Sequence, residues 1–186
     1  MKANYLKEML TNITGLNSLA IINQKQQDAA IKYSIEKILE TKPLIFISMT
    51  MSAEEVLLLT EKKENLIILD VFSKETTIGK ANPNVNYISN PSNLTSIQIA
   101  VDKAFQKFPD AIILFDSLGV LSVYSNEKLF QKFIYLFNNK MNLMSKSVLY
   151  FAVKGSMDDE ILSTVKQFCD KIYDFSELYI SSVELV

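Results

Sequence analysis

The chain has 186 residues, 48% of them hydrophobic and 22% charged, with a net charge of −2, a composition that suits a globular protein with room for a substantial core. It contains no histidine, and all 19 basic residues are lysine, which excludes imidazole catalysis, histidine-ligated metal and arginine-finger chemistry and leaves no basic footprint for nucleic acid. No apolar run approaches a membrane span, residues 1–10 lack an apolar signal core and Cys169 is the single cysteine, so a reducing cytoplasm is the expected compartment, with no membrane partner.

Residues 1–17 carry a short amphipathic piece (5–10) and are expected to pack over one sheet edge. Residues 18–23 (SLAIIN) read as a first strand, followed by a polar loop over 23–28. A helix from Asp28 places Ile31, Ile35, Ile38 and Leu39 on one face and ends at Pro43. Residues 44–49 (LIFISM) form a second strand. Ser52 to Glu55 is a capping box that opens a helix expected to run through 63, and 66–71 (LIILDV) is a third strand. A long polar loop over 73–93 holds a possible short strand at 85–88. The helix over 94–108 is the clearest amphipathic one, with Ile97, Val101, Ala104 and Phe105 sharing a face.

Residues 111–115 form an unbroken apolar run that ends in Asp116, the pattern of a strand buried on both faces in a parallel sheet. Ligands of such sheets sit beyond the carboxyl ends of the strands, where Asp116 stands. A long helix follows over 126–144 and a fifth strand over 148–153. A further helix starts at 158–160, with its acidic first turn complementing the helix dipole. Residues 171–175 and 179–186 read as a closing pair of strands. Strand–helix alternation of this kind predicts one domain over 1–186, an α/β doubly wound, mostly parallel sheet with helices on both faces and a C-terminal strand pair.

Several stretches, LTSIQIAVDKAF (94–105), AIILFDSLGVLSVYS (111–125), VLYFAV (148–153), CDKIYDF (169–175) and FISMTMSAEEV (46–56), together resemble the archaeal KaiC-like branch of the RecA superfamily of P-loop NTPases. The resemblance covers roughly residues 18–175 and implies a RecA-like sheet. In that family G-x-x-x-x-G-K-T follows the first strand, and in this register the glycines fall on Asn23 and Asp28, the lysine on Ala29 and the Mg²⁺-binding hydroxyl on Ala30. The chemistry that cradles and neutralises phosphate is therefore missing. Asp28 is expected instead as an N-cap of the helix it opens.

The family's paired glutamates fall on Thr50 and Met51, and the end of the fifth strand offers only Ala152, Val153 and Lys154. Asp116 and Ser117 keep the Walker B position, but both can equally support their own turn. These departures imply a non-catalytic domain with a vestigial nucleotide pocket and no cofactor or metal, acting as a regulatory or structural subunit through a protein partner or homo-oligomer. The alternative is a divergent ATPase that binds ATP with Mg²⁺ on Asp116. A receiver-like signalling domain, with Asp70 or Asp116 as phosphoacceptor and Lys154 nearby, is disfavoured because Asn23-Gln24 is not an acidic pair. The helix over 126–144 has apolar residues around about 180° of its circumference, against about 100° for an ordinary surface helix. That makes Phe130, Ile134, Tyr135, Phe137 and Met141 the candidate interface.

Overall fold

The apolar runs become strands of one parallel sheet, where their backbone polar groups pair while both side-chain faces are buried. A computed structural model describes residues 3–73 and 82–177. Among these are seven strands: β1 (Asn17–Ile22), β2 (Leu44–Ser48), β3 (Leu66–Asp70), β4 (Val85–Tyr87), β5 (Ile112–Phe115), β6 (Ser147–Val153) and β7 (Lys171–Asp174). They lie in the order β4-β3-β2-β5-β6-β1-β7, and every pairing is parallel. β1, β2, β3 and β5 are buried along their whole length, while the outer β4 and β7 are largely exposed. The expected partner strand at 179–186 lies outside the described residues, as does 74–81 of the long loop.

Period-two alternation in β1 divides the core. Ala20 and Ile22 join Ile31 and Ile35 of α2 (Gln27–Leu39) and Val56 of α3 (Ala53–Leu58). Leu6, Met9 and Ile13, in and just after α1 (Ala3–Thr11), bury into that same cluster, where Tyr173 of β7 also packs. Leu19 and Ile21 face the other way, toward α4 (Leu94–Lys107), α5 (Leu118–Tyr124), α6 (Glu127–Leu143) and α7 (Asp159–Gln167), through Val101, Leu118, Phe137 and Val165.

Two elements depart from the sequence reading. α3 stops at Leu58 instead of running through 63: Ala53 and Val56 are buried, Leu57 is half-buried against the core and Leu58 is 83% exposed. The residues after Asp116 form α5, with Ser117 Oγ accepting the Val120 N–H at 3.3 Å as its N-cap.

The candidate interface on α6 is corrected as well. Phe130, Ile134, Phe137 and Met141 are each 0% exposed and belong to the core. α6 lies on β1 and β6 and is flanked by α4, α5 and α7, which bury more of its arc than one sheet face could while Leu129, Leu136 and Leu143 stay exposed. Tyr135 alone of the five stays on the surface, with its ring 5.2 Å from that of Phe168.

One polar residue belongs to the buried face of α6. Asn138 Oδ1 accepts the Tyr150 hydroxyl at 2.5 Å, and its Nδ2 donates to the Phe168 carbonyl at 2.8 Å. Its own carbonyl accepts Asn17 Nδ2 at 3.2 Å, so one residue ties α6 to β6, β1 and the end of α7. Replacing it with leucine strands a buried hydroxyl and a carbonyl. Asn138→Leu is expected to cost about 2–4 kcal/mol in urea unfolding, whereas a loss below about 0.5 kcal/mol would contradict this role.

Candidate functional site

The connection leaving β2 runs into α3 on one face of the sheet, and the connection leaving β5 runs into α5 and α6 on the other. Adjacent strands whose connections part in this way leave a crevice at their carboxyl ends, the usual ligand position in open α/β sheets. In this protein the β2/β5 crevice is closed by one side chain. Asp116 is 0% exposed. Its Oδ1 accepts the Met49 N–H at 2.8 Å, and its Oδ2 accepts the Thr50 N–H at 2.9 Å and the Thr50 hydroxyl at 2.7 Å. These partners come from the loop after β2 and add to the Ser117 N–H of the turn of Asp116 itself, where the sequence reading placed its donors.

Burial disfavours the charged form and pushes the Asp116 carboxyl up to about 6, although the bonds from Thr50, Met49 and Ser117 pull the other way. A metal ion at this carboxylate would have to compete with donors already in place.

The polar loop after β1 is also internally satisfied. Asn23 Oδ1 accepts the Lys25 N–H at 3.0 Å, the Asn23 carbonyl accepts the Gln26 N–H at 2.9 Å, and the Gln24 carbonyl accepts the Gln27 N–H. Residues 24–26 thereby wind into a 3₁₀ turn that feeds directly into α2. The turn moves the helix start upstream of Asp28. The N-cap is Gln26, which makes no side-chain cap bond, and Asp28 becomes an exposed residue of the first turn. Its expected capping role is therefore replaced by a favourable place in the helix dipole. Ala30 is fully buried against the α2-side core, Ala29 is half-buried and Asn23 is exposed.

Of the sequence-predicted site residues, the structure brings Thr50 and Asp116 into direct contact. Met51 packs against the α2-side core, and its carbonyl accepts the Ser48 hydroxyl at 2.5 Å. Gln27 was not anticipated, yet its Nε2 donates to the Asp116 carbonyl at 3.3 Å and links the start of α2 to the end of β5. A glutamine in a polar loop carries no signal of such a role. Ser48 did carry one, as a hydroxyl ending an otherwise apolar strand.

Asp70 is likewise spent on backbone. It is 0% exposed and accepts from Ala53 N at 2.8 Å, Phe72 N at 3.0 Å and Ser73 N at 2.7 Å. Glu55 completes the capping box with Ser52, whose N–H and hydroxyl hold its carboxyl below the usual range. Lys154 pairs with Glu177, and β6 is separated from β3 by two strands. Asp70 and Lys154 are therefore not neighbours, and Asp116, the other candidate phosphoacceptor, ends the strand beside β6 but is engaged by Met49 and Thr50.

Gly119 fixes how closely the two loops at this end approach. A Cβ built on it would lie 2.3 Å from Ser156 Oγ and 2.7 Å from Ser156 Cβ, so α5 backs directly onto the turn after β6.

No family model and no curated protein matches the chain. Among solved structures it is similar to a KaiC-like protein from the hyperthermophilic archaeon Pyrococcus horikoshii OT3. That pair shares 11% identity with a TM-score of 0.58, over 90% of this chain and 75% of the other. It is also similar to the flagellar accessory protein FlaH from Methanocaldococcus jannaschii, at 12% identity and a TM-score of 0.54, over 94% of this chain and 77% of that one. At this level of identity the likeness establishes the fold, an α/β RecA-like sheet.

Two outcomes follow from this geometry. Gly119→Ala should destabilise the protein by about 1–3 kcal/mol in urea unfolding, and a neutral substitution would contradict the close approach to Ser156. The second concerns pH. Because the folded-state value of Asp116 lies above the ordinary 3.8, the folded protein binds this proton more tightly than the unfolded chain does. The resulting stabilisation is complete below 3.8 and is lost as pH rises through about 6. Relative to Asp116→Asn, the wild-type protein should gain about 1 kcal/mol between about pH 7 and about pH 5. A gap that does not change with pH would mean that the carboxyl titrates as an exposed one.

Proposed function

We propose that this protein is a non-catalytic RecA-like domain that neither binds nor hydrolyses nucleotide and acts through protein contacts, as a regulatory or structural subunit in the cytoplasm. The observation that carries the reading is the closed end of the sheet. The Asp116 carboxylate, in the position of a Walker B residue, is occupied by the donors of Met49 and Thr50. The N–H groups of Lys25, Gln26 and Gln27, in the register of a phosphate loop, are occupied within their own turn. Phosphate cradling needs such N–H groups free and a lysine at the helix start, and here Ala29 and Ala30 stand at that start with Ala30 in the core. The residues present do not fit a nucleotide with Mg²⁺. On this reading the loop is a Walker A segment whose anion site has been filled by its own side chains.

Phosphate release from ATP and GTP with Mg²⁺ tests the reading, with Asp116→Asn and the exposed-site variant Lys25→Ala as controls. Release at the level of buffer alone is expected from all three proteins. Turnover by the wild type that disappears in a folded Asp116→Asn protein would overturn the reading in favour of a divergent ATPase.

A further inference from the structure

Three leucines of α6 face solvent. Leu129, Leu136 and Leu143 are 60%, 48% and 88% exposed, distinct from Phe130, Ile134, Phe137 and Met141, which the core buries. Their spacing of seven residues sets them on one line down about 21 Å of helix. Beside the upper half of this line a groove of about 290 Å³ opens between α6 and the start of α4, where Leu94 and Phe133 continue the apolar surface. Lys132 stands one turn after Leu129 and one turn before Leu136. It is exposed, and among the described residues that line the groove it is the one that carries charge. Lower down, Lys140 is neutralised by Asp102 at 2.6 Å. Glu127 lies about 200° round the helix from Leu129, and its carboxylate accepts Gln131 Nε2 at 3.1 Å on that far side. The whole chain has a net charge of −2, yet α4 and α6 together carry five lysines against two carboxylates, so this face is basic.

We propose that this stripe seats an amphipathic helix of another protein, one with apolar residues at heptad spacing and carboxylates beside them. The inference rests on the reading above that the protein acts through protein contacts, and it names the chemistry of the partner. Leucines seven residues apart leave gaps that accept the side chains of a second helix, as knobs fill holes in a coiled coil. Lys132 interrupts the apolar line. A helix lying over it must bring a carboxylate, or an ammonium group is covered without a counter-charge. A second copy of α6 does not meet that need. The uncompensated charge on its stripe is again Lys132, so two copies of this face repel.

The test is fluorescence anisotropy of two synthetic helical peptides titrated with the full chain. Both carry leucine at heptad positions, one with flanking glutamates and the other with lysines in their place. The glutamate peptide is expected to bind saturably and on the order of tenfold tighter than the lysine peptide, with the difference shrinking as salt is added. Leu129→Ser combined with Leu136→Ser should abolish binding. Leu58→Ser, at an exposed leucine on the α2 side of the sheet, should leave it as in wild type, and Lys132→Glu should remove the preference for glutamate. Urea midpoints near that of wild type establish that these variants fold. Equal binding of both peptides, binding kept in the double leucine variant, or a preference unmoved by Lys132→Glu overturns the proposal. Absence of saturable binding also overturns it, as does a wild type that dimerises through these leucines in light scattering, because a second copy then covers the stripe. Phosphate release on the same samples reports separately on the non-catalytic reading, which survives a failure to bind peptide and falls only with turnover lost in Asp116→Asn.

Discussion

The hydrogen bonds between Asp116 and the backbone of Met49 and Thr50 are the constraint on which the upper end of this sheet depends. A parallel sheet whose connections leave adjacent strands toward opposite faces would otherwise be open at β2 and β5. Leaving a buried carboxylate ionised near neutral pH carries a desolvation cost, reflected in the upward push on Asp116 to about 6. Three donors within 2.9 Å offset that cost. The same group positions its surroundings: its carbonyl takes Gln27 from the start of α2, and Ser117 beside it caps α5. Asp70 repeats the arrangement two strands away, at the end of β3, holding the N-terminus of α3 through Ala53. Two carboxylates placed where ligands bind in sheets of this kind are thus engaged by the chain's own backbone.

The sheet was legible in the sequence because its strands are buried on both faces, which forces apolar runs such as 112–115 and 148–153 with no alternation. Helices α2, α4 and α7 were legible because each carries an apolar stripe at helical spacing. Where a helix meets several neighbours the inference failed. The wide arc of α6 resembles an unpartnered interface, but α4, α5 and α7 flank it and Phe130, Ile134, Phe137 and Met141 are buried, and nothing local in 126–144 reports those distant partners. α3 failed in the opposite direction, because helix-forming residues continue past Leu58 although the helix ends there.

At the site, the resemblance implied an altered phosphate loop, with Ala29 and Ala30 in the register of a lysine and a hydroxyl, but said nothing of how the loop is held. That the N–H groups of residues 25–27 would close into a 3₁₀ turn depends on Asn23 folding its side chain back onto Lys25, a local choice that competes with many others in a polar loop. The Thr50–Asp116 contact spans 66 positions and arises only from the pairing of β2 with β5. Likewise, the glycine in DSLG could be noted in the sequence, whereas its reason, the presence of Ser156 behind it, required the fold.

Whether the Asp116 carboxylate is an internal clasp or a ligand position is observed directly by carboxyl-carbon NMR of aspartate-labelled protein. A resonance titrating near the raised value of about 6, with a midpoint unchanged by saturating Mg²⁺ and ATP, is the predicted result. A midpoint driven down into the ordinary carboxylate range on adding Mg²⁺ and ATP, in a protein that remains folded, would contradict it.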